Sequence, residues 1–277
     1  MIRLFATTNG IIAERLGSWY RLDESAGFDA IFAADDPRAC LERLIDAAAT
    51  VSAPAGSQWL APIQNQEVWA AGVTYLRSKT ARMDEARDSG GGDFYDRVYD
   101  AERPELFFKA TPQRVAGPGQ RVRIRDDSVW NVPEPELTLA IASSGEIFGF
   151  SIGNDMSSRD IEGQNPLYLT QAKVYAGSAA LGPCLVVAAD LPGAETRIEI
   201  TIERGGATEF AGSTDLGQMK RPLPLLADYL YRENSFPYGA YLMTGTGIVP
   251  PDSFTLEHGD EIRITIEPVG TLVNVVA

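Results

Sequence analysis

Apolar residues in this chain fall mostly at alternate positions within short runs, a rhythm that sends one side of a strand into a core and leaves the other to polar neighbours. Between residue 105 and the carboxyl end, this rhythm predicts strands over 106–110, 136–142, 147–152, 184–188, 197–203, 241–244, 261–267 and 271–276. Turn signals such as Ser144-Gly145, Gly205-Gly206 and Pro250-Pro251 separate them. Ahead of them, 68–73 reads as a buried strand. One late helix stands out at 223–232, where Leu223, Leu226, Tyr229 and Leu230 share one side. These elements predict an α+β, β-rich fold with a mixed, largely antiparallel sheet.

The first sixty residues read as a separate αβ unit. A short strand near 2–5 is followed by a helix that Asp36-Pro37 introduces, with Asp36 as N-cap and Pro37 suited to the first turn. Leu41, Leu44, Ile45 and Ala48 then recur at helical spacing. A linker rich in Pro, Ala, Gly and Ser over 52–62 divides the chain into a small amino-terminal domain, 1–62, and a larger one, 63–277. Residues 75–87 are charged and helix-compatible and run into Ser89-Gly90-Gly91-Gly92, which reads either as a mobile lid or as an exposed loop.

Composition narrows the partners. The formal charge of −14 argues against a nucleic-acid or anionic-membrane partner, since phosphates demand a surplus of Lys and Arg. A small anionic substrate stays compatible, because one buried cation overrules the global field. Neither a basic leader before an apolar run nor a stretch of membrane-spanning length is present, so a cytoplasmic location is expected. Cys40 and Cys184 are too few for a disulfide framework and read as small buried residues. His258 is the one histidine, which removes the common zinc and Ser/His/Asp arrangements, and its polar turn makes it a surface residue.

In Pro133-Glu134-Pro135-Glu136, two carboxylates two residues apart stand at the mouth of an apolar strand and so face the same way. Alone, the pair fits a solvated strand end as well as a site. Two like charges entering a core, however, need a cation or a shared proton. The strand 147–152 ends in Gly153-Asn154-Asp155, and Asp155 offers a third oxygen ligand. Three carboxylates with water suit Mg²⁺, Mn²⁺ or Ca²⁺ rather than zinc.

Glu134-x-Glu136, Asn154-Asp155-x-Ser157-x-Arg159-Asp160, Lys173 before Gly182-Pro183, Thr244-Gly245-Thr246, Gly259-Asp260 and Gly270-Thr-Leu-x-Asn274 occur in an order that resembles the fumarylacetoacetate hydrolase superfamily over residues 68–277. The resemblance implies a β-roll assembled as homodimers or larger oligomers, Glu134, Glu136 and Asp155 as metal ligands, Lys173 beside a bound 2-oxo acid, and Thr246 in contact with it. Hydrolases of that family carry a His and a Glu on a lid. Here the matching places hold Ser78 and Ala81, and Glu162 replaces a Gln that carbon–carbon hydrolases have. The segments around Gly72-Val-Thr-Tyr75, Arg103-Pro104-Glu105-Leu-Phe-Phe108-Lys109, Asn165-Pro-Leu-Tyr168 and Lys173-Val-Tyr175 look like a branch that dehydrates 2-keto-3-deoxy sugar acids, 2-dehydro-3-deoxy-D-arabinonate to 2,5-dioxopentanoate.

On that reading Lys173, Glu105 and Glu162 are the proton-transfer candidates, and Ser78, Lys109, Ser157, Arg159 and Thr246 the substrate-binding ones. Lys173 also reads as a fixed counter-charge, Glu105 and Lys109 as a surface pair, Glu162 as a loop carboxylate, and Arg159 as the partner of Asp160. The competing functions are hydrolysis or decarboxylation of an acylpyruvate on the same metal, and silent binding of a 2-oxo acid.

Overall fold

The computed structural model describes residues 1–23, 25–54, 59–78, 80 and 92–277, with backbone alone for 92–95. In chain order its strands are β1 (Ile2–Thr7), β2 (Gly10–Arg15), β3 (Ser18–Arg21), β4 (Ala49–Val51), β5 (Glu67–Gly72), β6 (Glu105–Ala110), β7 (Val115–Ala116) and β8 (Arg121–Val122). They continue as β9 (Asn131–Ile141), β10 (Ile147–Ser158), β11 (Ala179–Val187), β12 (Arg197–Arg204), β13 (Ala207–Asp215), β14 (Ala240–Met243), β15 (Glu261–Ile266) and β16 (Gly270–Val276). Among the described residues, an 11-stranded sheet follows the order β4-β3-β2-β1-β11-β10-β9-β14-β5-β6 with β7 beside β11, and a 5-stranded sheet the order β13-β12-β15-β16-β8. Few and short helices accompany them, giving the β-rich α+β architecture that the alternation predicts.

β9 lies at the centre, and each of its residues is buried. Its two faces meet different partners. Leu137, Leu139 and Ile141 join the core formed with Ile198, Ile200 and Ile264 of the second sheet and with Leu226 and Leu230 of the helix Leu223–Tyr231. Ala140 and Ala142, on the opposite face, share a core with Phe28, Ile31, Phe32, Leu41 and Ile45. Phe148 stands edge-on to Phe32 at 4.8 Å, and Tyr241 lies 5.1 Å from the same ring.

The amino-terminal residues are richer in strands than the pattern predicts. β1 and β2 form a hairpin, β3 and β4 extend it, and β1 pairs with β11 through Ile2 opposite Val187. The first fifty residues therefore lengthen the sheet that carries β9 and β10, and lay the helices Phe28–Phe32 and Pro37–Asp46 on one face. The second helix starts as expected, with the Asp36 carboxylate accepting from the Ala39 N–H at 2.9 Å and Leu41 and Ile45 buried.

Several elements depart from the pattern, among them β11, which begins at Ala179, five residues ahead of the expected start at 184. β9 begins five residues before the apolar run and β10 continues six beyond it, to Ser158, because the polar residues there are buried rather than solvated. β13, polar and at a sheet edge, carries no alternation to reveal it. The predicted lid residues 89–91 and most of the predicted helix 75–87 lie outside the described residues; Gly92 opens the helix Gly92–Asp100.

Candidate functional site

The register of β9 and β10 builds the acidic cluster. Asp155 pairs with Glu134, and Gly153 with Glu136, so the two-residue period of each strand aims three carboxylates at one face. One oxygen from each lies within 4.8 Å of the others, and all three residues are buried. Asp155 thus sits inside a strand rather than beyond its end. Gly153 leaves room, since a Cβ there would come within 2.2 Å of Thr138 Oγ1 and 2.9 Å of a Met243 methyl.

Pro133 and Pro135 belong to the same geometry. β14 pairs with β9 only from Thr138 to Ile141, after which the Thr244 N–H donates to Leu137 O at 3.1 Å. Antiparallel alternation turns the main-chain groups of 133, 135 and 137 to that side, where the two prolines have no donor to lose. β14 instead bends away through Gly245, at φ 92°, whose N–H donates to Glu136 Oε2 at 2.5 Å. A side chain at 245 would strike Thr74 Oγ1 at 2.0 Å.

Three buried cations face the cluster. Lys173, the last residue of the helix Leu169–Lys173, extends Nζ to Glu134 Oε2 at 2.6 Å, Asp155 Oδ2 at 3.0 Å and Ser157 Oγ at 2.5 Å. Lys109 Nζ meets Asp155 Oδ1 at 2.6 Å and donates to the carbonyls of Met156 and Lys173. Burial pulls the Lys109 ammonium down to about 8, against the opposing pull of Asp155. Arg159 places a guanidinium nitrogen 2.6 Å from Glu134 Oε1. The expected Arg159 to Asp160 pair does not form, because the Asp160 carboxylate accepts from Ser128 Oγ and the Val129 N–H.

Glu136 differs from its two neighbours. It accepts the Gly245 N–H but has no ion pair among the described residues, and burial, with Asp155 and Glu134 beside it, holds its carboxyl well above the usual range. A buried carboxylate so placed calls for a proton or a further cation. Hard, closely spaced oxygens are the donor set of Mg²⁺, so the residues present fit that ion.

The remaining candidates surround this centre unequally. Glu105 opens β6 opposite Gly72, and its carboxylate rests where a Cβ at 72 would lie, 2.0 Å from Oε2. Lys109 shares that face of β6 and is fully buried, so the two do not form a surface pair. Glu162, on the helix Arg159–Gln164, is buried rather than a solvated loop carboxylate. Ser78 Oγ donates to Tyr75 O at 2.8 Å and accepts the Tyr75 N–H, which fixes the local turn. Thr246 Oγ1 accepts the Ile248 N–H at 3.1 Å. His258 lies exposed beside the carboxyl end, as expected.

Two contributors escape a reading by residue type. The Gly245 main-chain donor is visible in sequence only as a glycine between two threonines. Tyr75 is buried with its hydroxyl unpartnered among the described residues, and burial together with Glu136 and Asp215 raises its pKa. The pair Thr74-Tyr75 gave no signal beyond its family-like context.

The chain resembles known proteins over most of its length. Residues 68–277 match the family model described as the fumarylacetoacetate (FAA) hydrolase C-terminal domain. A probable 2-keto-3-deoxyxylonate dehydratase of Haloferax volcanii is 48% identical over 214 residues, 77% of this chain and 73% of that protein. The 2-dehydro-3-deoxy-D-arabinonate dehydratase of Saccharolobus solfataricus is 42% identical over 76% of this chain and 72% of its own. A solved structure of 2-keto-3-deoxy-D-arabinonate dehydratase complexed with magnesium and 2,5-dioxopentanoate matches with a TM-score of 0.84 and 33% identity, covering 99% of this chain and 98% of that one.

Proposed function

The chain belongs to the fumarylacetoacetate hydrolase family, and from that premise we propose that it is a Mg²⁺-dependent hydro-lyase converting 2-dehydro-3-deoxy-D-arabinonate to 2,5-dioxopentanoate. The observation that carries the reading is the buried triad Glu134, Glu136 and Asp155, backed by Lys173, in a fold shared with a dehydratase solved with magnesium and that product. The reaction removes one C3 proton and the C4 hydroxyl as water, and proton shifts from C5 then leave an aldehyde.

Glu134, Glu136 and Asp155 would hold the ion, which when bound would supply Lewis acidity toward the 2-oxo group. Lys173 moves the proton at C3, its amine held by Glu134, Asp155 and Ser157. Glu105 and Glu162 are the carboxyl groups for proton delivery to the departing C4 hydroxyl and for the later shifts. Lys109 and Arg159 offset the charge of the acidic residues and steer the substrate carboxylate, while Ser157, Ser78 and Thr246 border the bound acid. Ser78 stands where hydrolases of the family keep a water-activating His, and its hydroxyl is committed to Tyr75, which supports dehydration over hydrolysis.

Incubation with 2-keto-3-deoxy-arabinonate and, separately, with acetylpyruvate tests this, in Mg²⁺ or in EDTA. Aldehyde from the first substrate in Mg²⁺ alone is expected. Pyruvate from the second would replace the reading with a hydrolase, and binding without turnover of either would leave a 2-oxo acid binding protein. Among the described residues no helix is long and apolar enough to cross a membrane. We place the protein in the cytoplasm as a homodimer or homotetramer, and divide it into units 1–62 and 63–277; light scattering and limited proteolysis test the last two assignments.

A further inference from the structure

Three consecutive residues hold both flanks of the Gly72 to Glu105 contact. On one side Met219 bridges Tyr75, and the Lys220 N–H donates to Thr74 O at 2.9 Å, two residues after Gly72. On the other, Arg221 donates to Val98 O at 2.7 Å, Ala101 O at 2.8 Å and Glu102 O at 3.1 Å. These carbonyls end the helix Gly92–Asp100 and the turn that leads, three residues later, into Glu105. Lys220 adds an ion pair with Asp100 and lies 4.1 Å from the Tyr99 ring centroid, and the Tyr229 hydroxyl reaches Glu102 Oε1 at 3.1 Å.

Arg221 is unusual in its partners. It is 8% exposed and, among the described residues, forms no ion pair; its charge is met by carbonyl oxygens at the negative end of a helix. A buried guanidinium without a carboxylate is costly to desolvate, so its contacts hold the chain rather than balance charge.

Resting on the catalytic reading of Glu105, we infer that Arg221 is a positioning residue: it fixes the approach to β6 and thereby holds the Glu105 carboxylate over Gly72 in register with the substrate. Lys220 closes the same strap on the Thr74 side. Among the described residues Arg221 itself touches none of Glu134, Glu136 and Asp155, whereas the Thr74 side of the strap abuts Gly245, so Arg221 is the member whose loss leaves metal binding unchanged.

A double-variant cycle in the full-length Mg²⁺-loaded protein tests this, with rates on 2-dehydro-3-deoxy-D-arabinonate and Mg²⁺ affinity by calorimetry. Arg221→Met is expected to lower kcat about 30-fold, the scale of a small misplacement of a reacting group, with the Mg²⁺ Kd within about 2-fold. Added to Glu105→Gln, it lowers kcat by less than about 3-fold more, because the group it positions is already gone. Losses that multiply in full, or a fall in Mg²⁺ affinity alongside kcat, overturn the inference while leaving Glu105 catalytic. Wild-type turnover by Glu105→Gln removes the catalytic reading itself, and the inference with it. If Arg221→Met does not fold, Arg221→Lys carries the same cycle: it keeps the buried charge but has one nitrogen where Arg221 uses two, Nη1 for Glu102 O and Nη2 for Val98 O and Ala101 O, and a loss of about 5-fold that vanishes in the Glu105→Gln background is expected.

Discussion

β9 and β10 present one face to two different worlds. Toward one end that face carries Glu136 beside Glu134 and Asp155, the latter two paired with Lys109, Lys173 and Arg159. Toward the other it carries Ala140, Ala142 and Phe148, covered by Phe32 and its neighbours from the amino-terminal helices. The strands are continuous and, Ile147 apart, buried, yet the acidic end stores electrostatic tension and the apolar end stores packing. Chemistry and stability are therefore separated along the strand axis within a distance of a few residues, and each end is open to attack without the other.

The largest separation is expected from Glu136→Gln. It should lower metal-dependent turnover by at least about 10³-fold, about 4 kcal/mol of barrier, while the metal-free protein unfolds no earlier than the parent, because the uncharged amide stands in for the protonated carboxyl that the metal-free fold favours. Steady-state rates beside thermal melts in EDTA check both halves, and an active variant would end the ligand assignment. Phe148→Ala is the mirror experiment. Removing a ring packed edge-on to Phe32 should cost about 3 kcal/mol of stability by denaturant titration, with kcat of the folded fraction unchanged.

Mg²⁺ itself should bridge the two ends thermodynamically. At a hundredfold excess over its Kd it adds about 2.7 kcal/mol to the parent and to Phe148→Ala alike, but nothing to Glu136→Gln. Equal stabilisation of all three would place the ion elsewhere. The smallest effect concerns pH. Because the folded, metal-free state holds a proton on Glu136 above the usual carboxylate range, stability from that group is present at low pH and fades as pH rises through its raised pKa. Mg²⁺ displaces the same proton, so its Kd should tighten across that window, with proton release visible as a buffer-dependent binding enthalpy.

What could be read from the residues alone follows from the same division. The apolar stretches of β9, β10, β15 and β16 announced themselves, as did the Asp36-capped helix, because burial there is achieved by the residue types that alternation counts. Alternation fails where burial is electrostatic. Glu134, Asp155 and Ser157 read as a strand end since polar residues usually mark one, whereas here their contacts with Lys173 let them stay inside. Glu162 misled in the same way. The acidic triad itself was legible from spacing, since i and i+2 on a strand must share a face. The partners Lys109 and Arg159 found in Asp155 and Glu134 were not, since nothing local ties residue 109 to 155 or selects Glu134 over Asp160.

Pro133 and Pro135 have a consequence for the history of the sheet. β14 leaves β9 at Thr244, and a rim of main chain from 133 to 135 is left without a neighbouring strand on that side. Any residue but proline would there carry an amide hydrogen that the folded protein buries with no neighbouring strand to accept it. Two imino acids in alternate places spare the strand that cost and keep the rim from zippering with another chain before folding buries it.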